Sequence, residues 1–156
     1  MNVVIFGEPV GKGRPKFTTI GGFGRAYTPA KTATWERRAA STMRAAWGGA
    51  PALDEPTEVV VLAFCKRPQR LCRKKDPDGP MWRMSLPDSD NVAKAVLDAL
   101  QKAGVVSDDK VVVDLRVLSL YADKGEEGRV VVLVRKIHHV LDAQALPKYE
   151  VAGGAL

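Results

Sequence analysis

The sequence predicts an α+β fold in a single domain spanning residues 1–156, with element order β-α-β-α-β-β. Three observations lead to that class. Runs rich in Val, Ile, Leu and aromatic residues at 3–6, 58–65, 110–121 and 129–137 have the length and composition of strands. Two Ala-rich stretches, 29–47 and 90–103, have helical length and composition, and each falls between two of the first three strands. The last two strand-like runs follow one another directly across ADKGEEG, which predicts a C-terminal antiparallel hairpin. A mixed sheet with helices packed on it is the expected architecture. With 156 residues and 46% hydrophobic content, the chain can bury one core and is short for two.

Each element has its own signal. VVIF at 3–6, closed by Gly7, reads as an edge or first strand. GEPVGKGRPKFTTIGGFGRAYTP is dense in Gly and Pro and carries Lys12, Arg14, Lys16 and Arg25, so a loop with a basic lining is expected. Thr28 as N-cap and Pro29 in the first turn open a helix that runs to Trp47 and stops at Gly48-Gly49. EVVVLAFC at 58–65 is apolar throughout and predicts a central strand. Residues 66–87 hold five Pro or Gly and seven Lys or Arg, with Trp82 among them, and predict a mobile basic loop. The tail from about residue 141 is expected to be peripheral.

Several classes are excluded at this level. No run of about eighteen apolar residues is present, and Gly7, Glu8 and Pro9 interrupt any signal-peptide core, so a soluble cytoplasmic protein without a membrane partner is expected. Cys65 and Cys72 cannot make a disulfide framework, and with only His138 and His139 they cannot make a Cys/His zinc site. The net charge of +6 is uneven: residues 1–87 hold 15 Lys/Arg against 7 Asp/Glu, whereas residues 88–156 hold 9 against 11. A basic front half points to a polyanion, because each phosphate neutralised by Lys or Arg releases counterions. Lys12, Arg14, Lys16, Arg67, Arg70, Arg73, Lys74 and Lys75 are the candidate contacts to such a polyanion, nucleic acid among them.

The carboxylates concentrate in PDSDNVAKAVLDALQKAGVVSDDK, residues 87–110. At 100° per residue, Asp90, Asn91, Lys94, Asp98, Gln101 and Lys102 share one arc. Val92, Ala93, Ala95, Val96, Leu97, Ala99, Leu100 and Ala103 share the other, and Gly104 supplies the stop. One Asp at a helix start is ordinarily a cap. A second weakens that reading, since two carboxylates about 6 Å apart at an effective dielectric near 20 repel by about 3 kcal/mol. Asp108-Asp109 adds two more at a loop-to-strand junction. Converging Asp oxygens suit Mg²⁺ or Mn²⁺, and a basic surface beside them is the pairing that metal-dependent phosphodiester cleavage needs. An EF-hand reading fails because Ala93 and Ala99 occupy the Gly and Glu positions, and a P-loop reading fails because GEPVGKGR has the wrong glycine spacing.

PDSDNVAKAVLDAL, SDDKVVVDL and GKGRPKF together resemble the RusA-type Holliday junction resolvases of phages and prophages, in matching order and spacing. The resemblance implies a homodimeric, Mg²⁺-dependent endodeoxyribonuclease that resolves four-way DNA junctions by paired nicks, in recombination and repair. Position by position, it implies that Asp88, Asp90 and Asp109 are metal-binding catalytic acids, that Lys94 is the essential lysine, and that Asp98 and Asp108 support them. Leu86 and Ser119 depart from the family, standing where basic residues are frequent. A nuclease for forks or flaps, or a non-catalytic junction-binding protein, are the competing readings.

Overall fold

The computed structural model describes residues 1–14, 16–20 and 23–138, with the backbone alone described at 16, 18–20 and 23–26. The side chains of Lys16 and Arg25, together with His139 and the tail, lie outside the described residues. Strand β1 (Asn2–Phe6) is followed by β2 (Lys16–Ile20), β3 (Phe23–Tyr27), α1 (Ala30–Trp47), β4 (Thr57–Cys65), β5 (Met81–Trp82), α2 (Ser89–Ala103), β6 (Val112–Tyr121) and β7 (Arg129–Lys136). The main sheet has the order β1-β7-β4-β6-β5, and β2 pairs with β3 separately. The fold is α+β, and β1, α1, β4, α2, β6 and β7 reproduce the expected order.

The apolar run of β4 places it in the middle of the sheet, with β6 parallel on one side and β7 antiparallel on the other. Val59, Val61 and Ala63 on β4 and Val130 and Val132 on β7 are fully buried with Met43 of α1 and Val92, Val96 and Leu100 of α2. Fully burying a Val or Leu side chain contributes about 1.5–3 kcal/mol, so this seam holds both helices to the sheet. The alternate residues Val60, Leu62 and Phe64 lie on the other face, half-buried, where Arg129 stacks 4.5 Å from the centre of the Phe64 ring.

Four expectations are corrected. β6 and β7 do run antiparallel to each other, but β4 is inserted between them, so they form no hydrogen-bonded hairpin. The loop expected at 7–29 contains β2 and β3, whose β-branched and aromatic residues flank Gly21-Gly22, a two-residue hairpin signal. α1 begins one residue later than expected, with Pro29 and not Thr28 at the N-cap, and ends at Gly48 in the left-handed region (φ 69°). Residues 66–87, expected as a mobile loop, form a 3₁₀ turn (Gln69–Leu71) and β5, organised around buried Arg67 and Arg83. Cys65 is buried and Cys72 exposed, both free.

Candidate functional site

The start of α2 presents the first pair of carboxylates. Asp88 is the N-cap, in extended conformation, yet its side chain makes no capping hydrogen bond; its carbonyl oxygen accepts from Val92 N–H at 3.0 Å. The carboxylate is thus free for another partner. Asp90 stands in the first turn and accepts from Lys94 Nζ at 3.3 Å, with both side chains more than 60% exposed. Such an exposed (i, i+4) pair contributes at most about 0.5 kcal/mol, so folding stability does not explain it.

Arg83 and Ser119 fix this helix start to the sheet. The Arg83 guanidinium, 5% exposed, donates from Nη2 to Pro87 O at 2.7 Å and to Ser119 Oγ at 3.4 Å, and from Nη1 to Ser85 O. Ser119 Oγ is 2.9 Å from Ser89 Oγ. Asp88 therefore lies between two anchored neighbours, at the rim of a cleft of about 370 Å³ lined by Arg83, Ser85, Leu86, Ser89 and Ser119. Sequence reasoning missed Arg83, since nothing local distinguishes a buried arginine from the exposed cations around it.

The N-terminal glycine motif packs against the same place. A Cβ on Gly11 would come within 3.0 Å of Pro87 Cβ and 3.1 Å of Asn91 Cβ, and one on Gly13 within 2.9 Å of Pro29 Cγ. The close approach lets Lys12 N–H donate to Asn91 O at 2.8 Å. Lys12 is not an outward DNA contact: Nζ donates to Glu36 Oε1 at 2.8 Å and to Asp98. Burial pulls its ammonium pKa down, but the hydrogen bonds it donates to Asp98 and Glu36 outweigh that and hold it above the ordinary lysine value. Glu36, 1% exposed, also accepts from Lys102. Asp98 is thereby a member of an internal network joining the motif to α1 and α2.

The second carboxylate pair is elsewhere. Asp108 accepts from Lys110 N–H at 3.0 Å, which holds its carboxyl below the usual range, and Asp109 opens the 3₁₀ turn (Asp109–Val111) that leads into β6. α2 runs from the Ser119 end of β6 back towards the end where that strand begins. Val112 to Ser119 covers seven residues at about 3.3 Å each, so roughly 20 Å of strand separates Asp109 from Asp88 and Asp90. The expected convergence of these three within one chain does not occur, and among the described residues no three His, Cys, Asp or Glu side chains form a cation-holding group. Asp88 and Asp90 fit a hard cation in donor chemistry, as two oxygen-bearing ligands of a larger set.

The basic candidates divide similarly. Arg67, 5% exposed, donates to the carbonyls of Ala122 (3.1 Å), Pro77 (2.5 Å) and Gly79, so it is a structural clamp and not a DNA contact. Arg73 pairs with Asp76 at 3.4 Å. Arg14, Arg70, Lys74 and Lys75 are exposed. No helix among the described residues is long and apolar enough to cross a membrane.

A family model described as Endodeoxyribonuclease RusA matches residues 7–135. The chain is also 29% identical over 138 residues to the "Uncharacterized protein YqaN" of Bacillus subtilis (strain 168), covering 85% of this chain and 94% of that protein.

Proposed function

Because the chain belongs to the RusA endodeoxyribonuclease family, we propose that it is a Mg²⁺-dependent resolvase that cuts four-way DNA junctions by paired nicks, in recombination and repair. The observation that carries this reading is the uncapped Asp88 carboxylate beside Asp90 at the solvent edge of a helix start that Arg83 and Ser119 pin to the sheet. A pure DNA-binding protein gains nothing from carboxylates turned towards phosphates, which disfavours the non-catalytic alternative.

Asp88 and Asp90 would hold the cation through their oxygens, as two ligands of a larger set. Mg²⁺ or Mn²⁺, when bound, supplies an acidified water and offsets charge on the phosphate. Lys94 keeps the Asp90 carboxylate turned along the helix and offers its ammonium to the departing oxygen. In this reading Asp109 completes the set from a second copy of the chain, which the separation of about 20 Å along β6 supports, and a homodimer supplies two such sites for two cuts. Asp108 orders the turn that carries Asp109.

The test is cleavage of labelled four-way, three-way, flap and linear DNA with Mg²⁺ or EDTA, beside Asp90→Asn. The expected result is Mg²⁺-dependent symmetric nicking of the four-way junction, lost in the variant with DNA binding retained. No product on any substrate would sink the nuclease reading, and cleavage of flaps alone would replace the resolvase by a flap nuclease.

A further inference from the structure

The exposed charged residues of α1 are all cations. Lys31, Arg37, Arg38 and Arg44 are exposed, whereas Glu36, the helix's sole acid, is turned inward to Lys12 and Lys102. Among the described residues none of the four cations has an ion-pair partner; Arg44 Nη2 donates to the Lys102 carbonyl at 2.5 Å and keeps its charge. The arrangement is unfavourable for an isolated helix. Lys31 stands in a first turn without an acid, against the positive end of the helix dipole, and Arg37 and Arg38 are adjacent like charges. An anionic partner removes both costs.

Of the hollows beside this face, one is lined by Glu8 together with Lys31 and Arg38, and two others bear on the cationic surface. Of these two, one, of about 480 Å³, is lined by Lys31, Gly13, Pro29 and Asp88, so it reaches the candidate site. The other, of about 510 Å³, is lined by Thr28, Arg37, Ser41, Arg44 and Lys102, with Glu36 at its base held by Lys12 and Lys102. Thr28 and Pro29 place the two side by side at the start of α1. From Lys31 to Arg44 the helix advances about 20 Å at 1.5 Å per residue, a span of roughly six base pairs at 3.4 Å per nucleotide step along a strand. We infer that this face of α1, with Lys102 of α2, is a DNA-contact surface that receives backbone phosphates of a duplex arm leaving the Asp88 cleft. The inference rests on the nuclease reading and adds a surface distinct from Lys12, Arg14, Lys16 and the cations of residues 66–87.

The test is the double variant Arg37→Ala/Arg44→Ala of the full chain, with Arg37→Glu as a second variant that leaves the Arg44–Lys102 bond in place. Binding of a four-way junction and a linear duplex is followed by fluorescence anisotropy in EDTA over a range of salt concentrations, with circular dichroism as the check on folding. The double variant is expected to bind both DNAs about tenfold more weakly, and the slope of log affinity against log salt to fall by about 2 units, near 0.9 for each lost phosphate contact. Arg37→Glu is expected to weaken binding at least as much as loss of one contact. Unchanged affinity and slope in both variants, with wild-type binding intact, would overturn this surface alone. Wild-type protein that binds neither DNA would overturn the nuclease reading along with it.

Discussion

Arg83 Nη2 donates a 2.7 Å hydrogen bond to the carbonyl oxygen of Pro87, the residue immediately before Asp88. The same guanidinium reaches Ser119 Oγ, which meets Ser89 on the other side of Asp88. One buried side chain therefore sets where the first carboxylate of the site leaves the backbone.

Arg83→Ala is expected to destabilise the fold by about 2–4 kcal/mol, because it leaves the Pro87 and Ser85 carbonyls without their charged donor. Urea unfolding measures that loss. Below the variant's unfolding midpoint, Mg²⁺-dependent cleavage should also fall at least about tenfold, since Asp88 loses its anchor. A full loss of stability with undiminished cleavage by the folded fraction would remove Arg83 from the site.

Asp109 and Asp90 offer a direct test of the two-copy site. Asp109→Asn and Asp90→Asn are each expected to be inactive alone. Mixed and allowed to exchange subunits, they form heterodimers in which one site has Asp88 and Asp90 from one copy and Asp109 from the other, all intact. Single-strand nicking should return in the mixture, with one active site per heterodimer. If all three acids acted within one copy, the mixture would stay inactive.

The Lys12 network predicts a pH dependence. The folded Lys12 ammonium titrates above its ordinary value of 10.5 despite burial, because Asp98 and Glu36 hold the charged form. A group whose pKa is raised on folding contributes stability that is fully present below the unfolded value and is lost as pH rises through the folded one. The stability difference between wild type and Lys12→Met should be constant to about pH 10 and shrink above it, measured by urea unfolding between about pH 9 and 11.5. A difference that stays flat to the top of that range would contradict the network.

Much of the scaffold was legible because it depends on local patterning. The period of α2 separated its buried residues from Asp90, Lys94 and Asp98, and only Leu97 of the apolar set is less than fully buried. The continuous apolar run of β4 marked it as central, and Gly48 and Gly104 marked both helix ends. What failed was partner choice. The short sequence distance between β6 and β7 favoured their pairing, but one edge of each is taken by β4, whose buried backbone needs hydrogen-bond partners on both of its edges.

The site divides along the same line. Sequence alone determined that Asp90 and Lys94 stand together, because helical geometry at a spacing of four leaves no alternative, and that Asp88 precedes them at the helix start. Tertiary structure decided the rest: that Lys12 and Arg67 turn inward, that Arg83 anchors the helix start, and that Asp109 lies at the far end of β6. Charge and composition are the same for a cation clamped by buried carbonyls and for one facing solvent, and the 19 residues from Asp90 to Asp109 cover a helix that returns along the strand. Only the packing of α2 against β6, a sum of burial over residues distant in sequence, converts that chain distance into a distance in space.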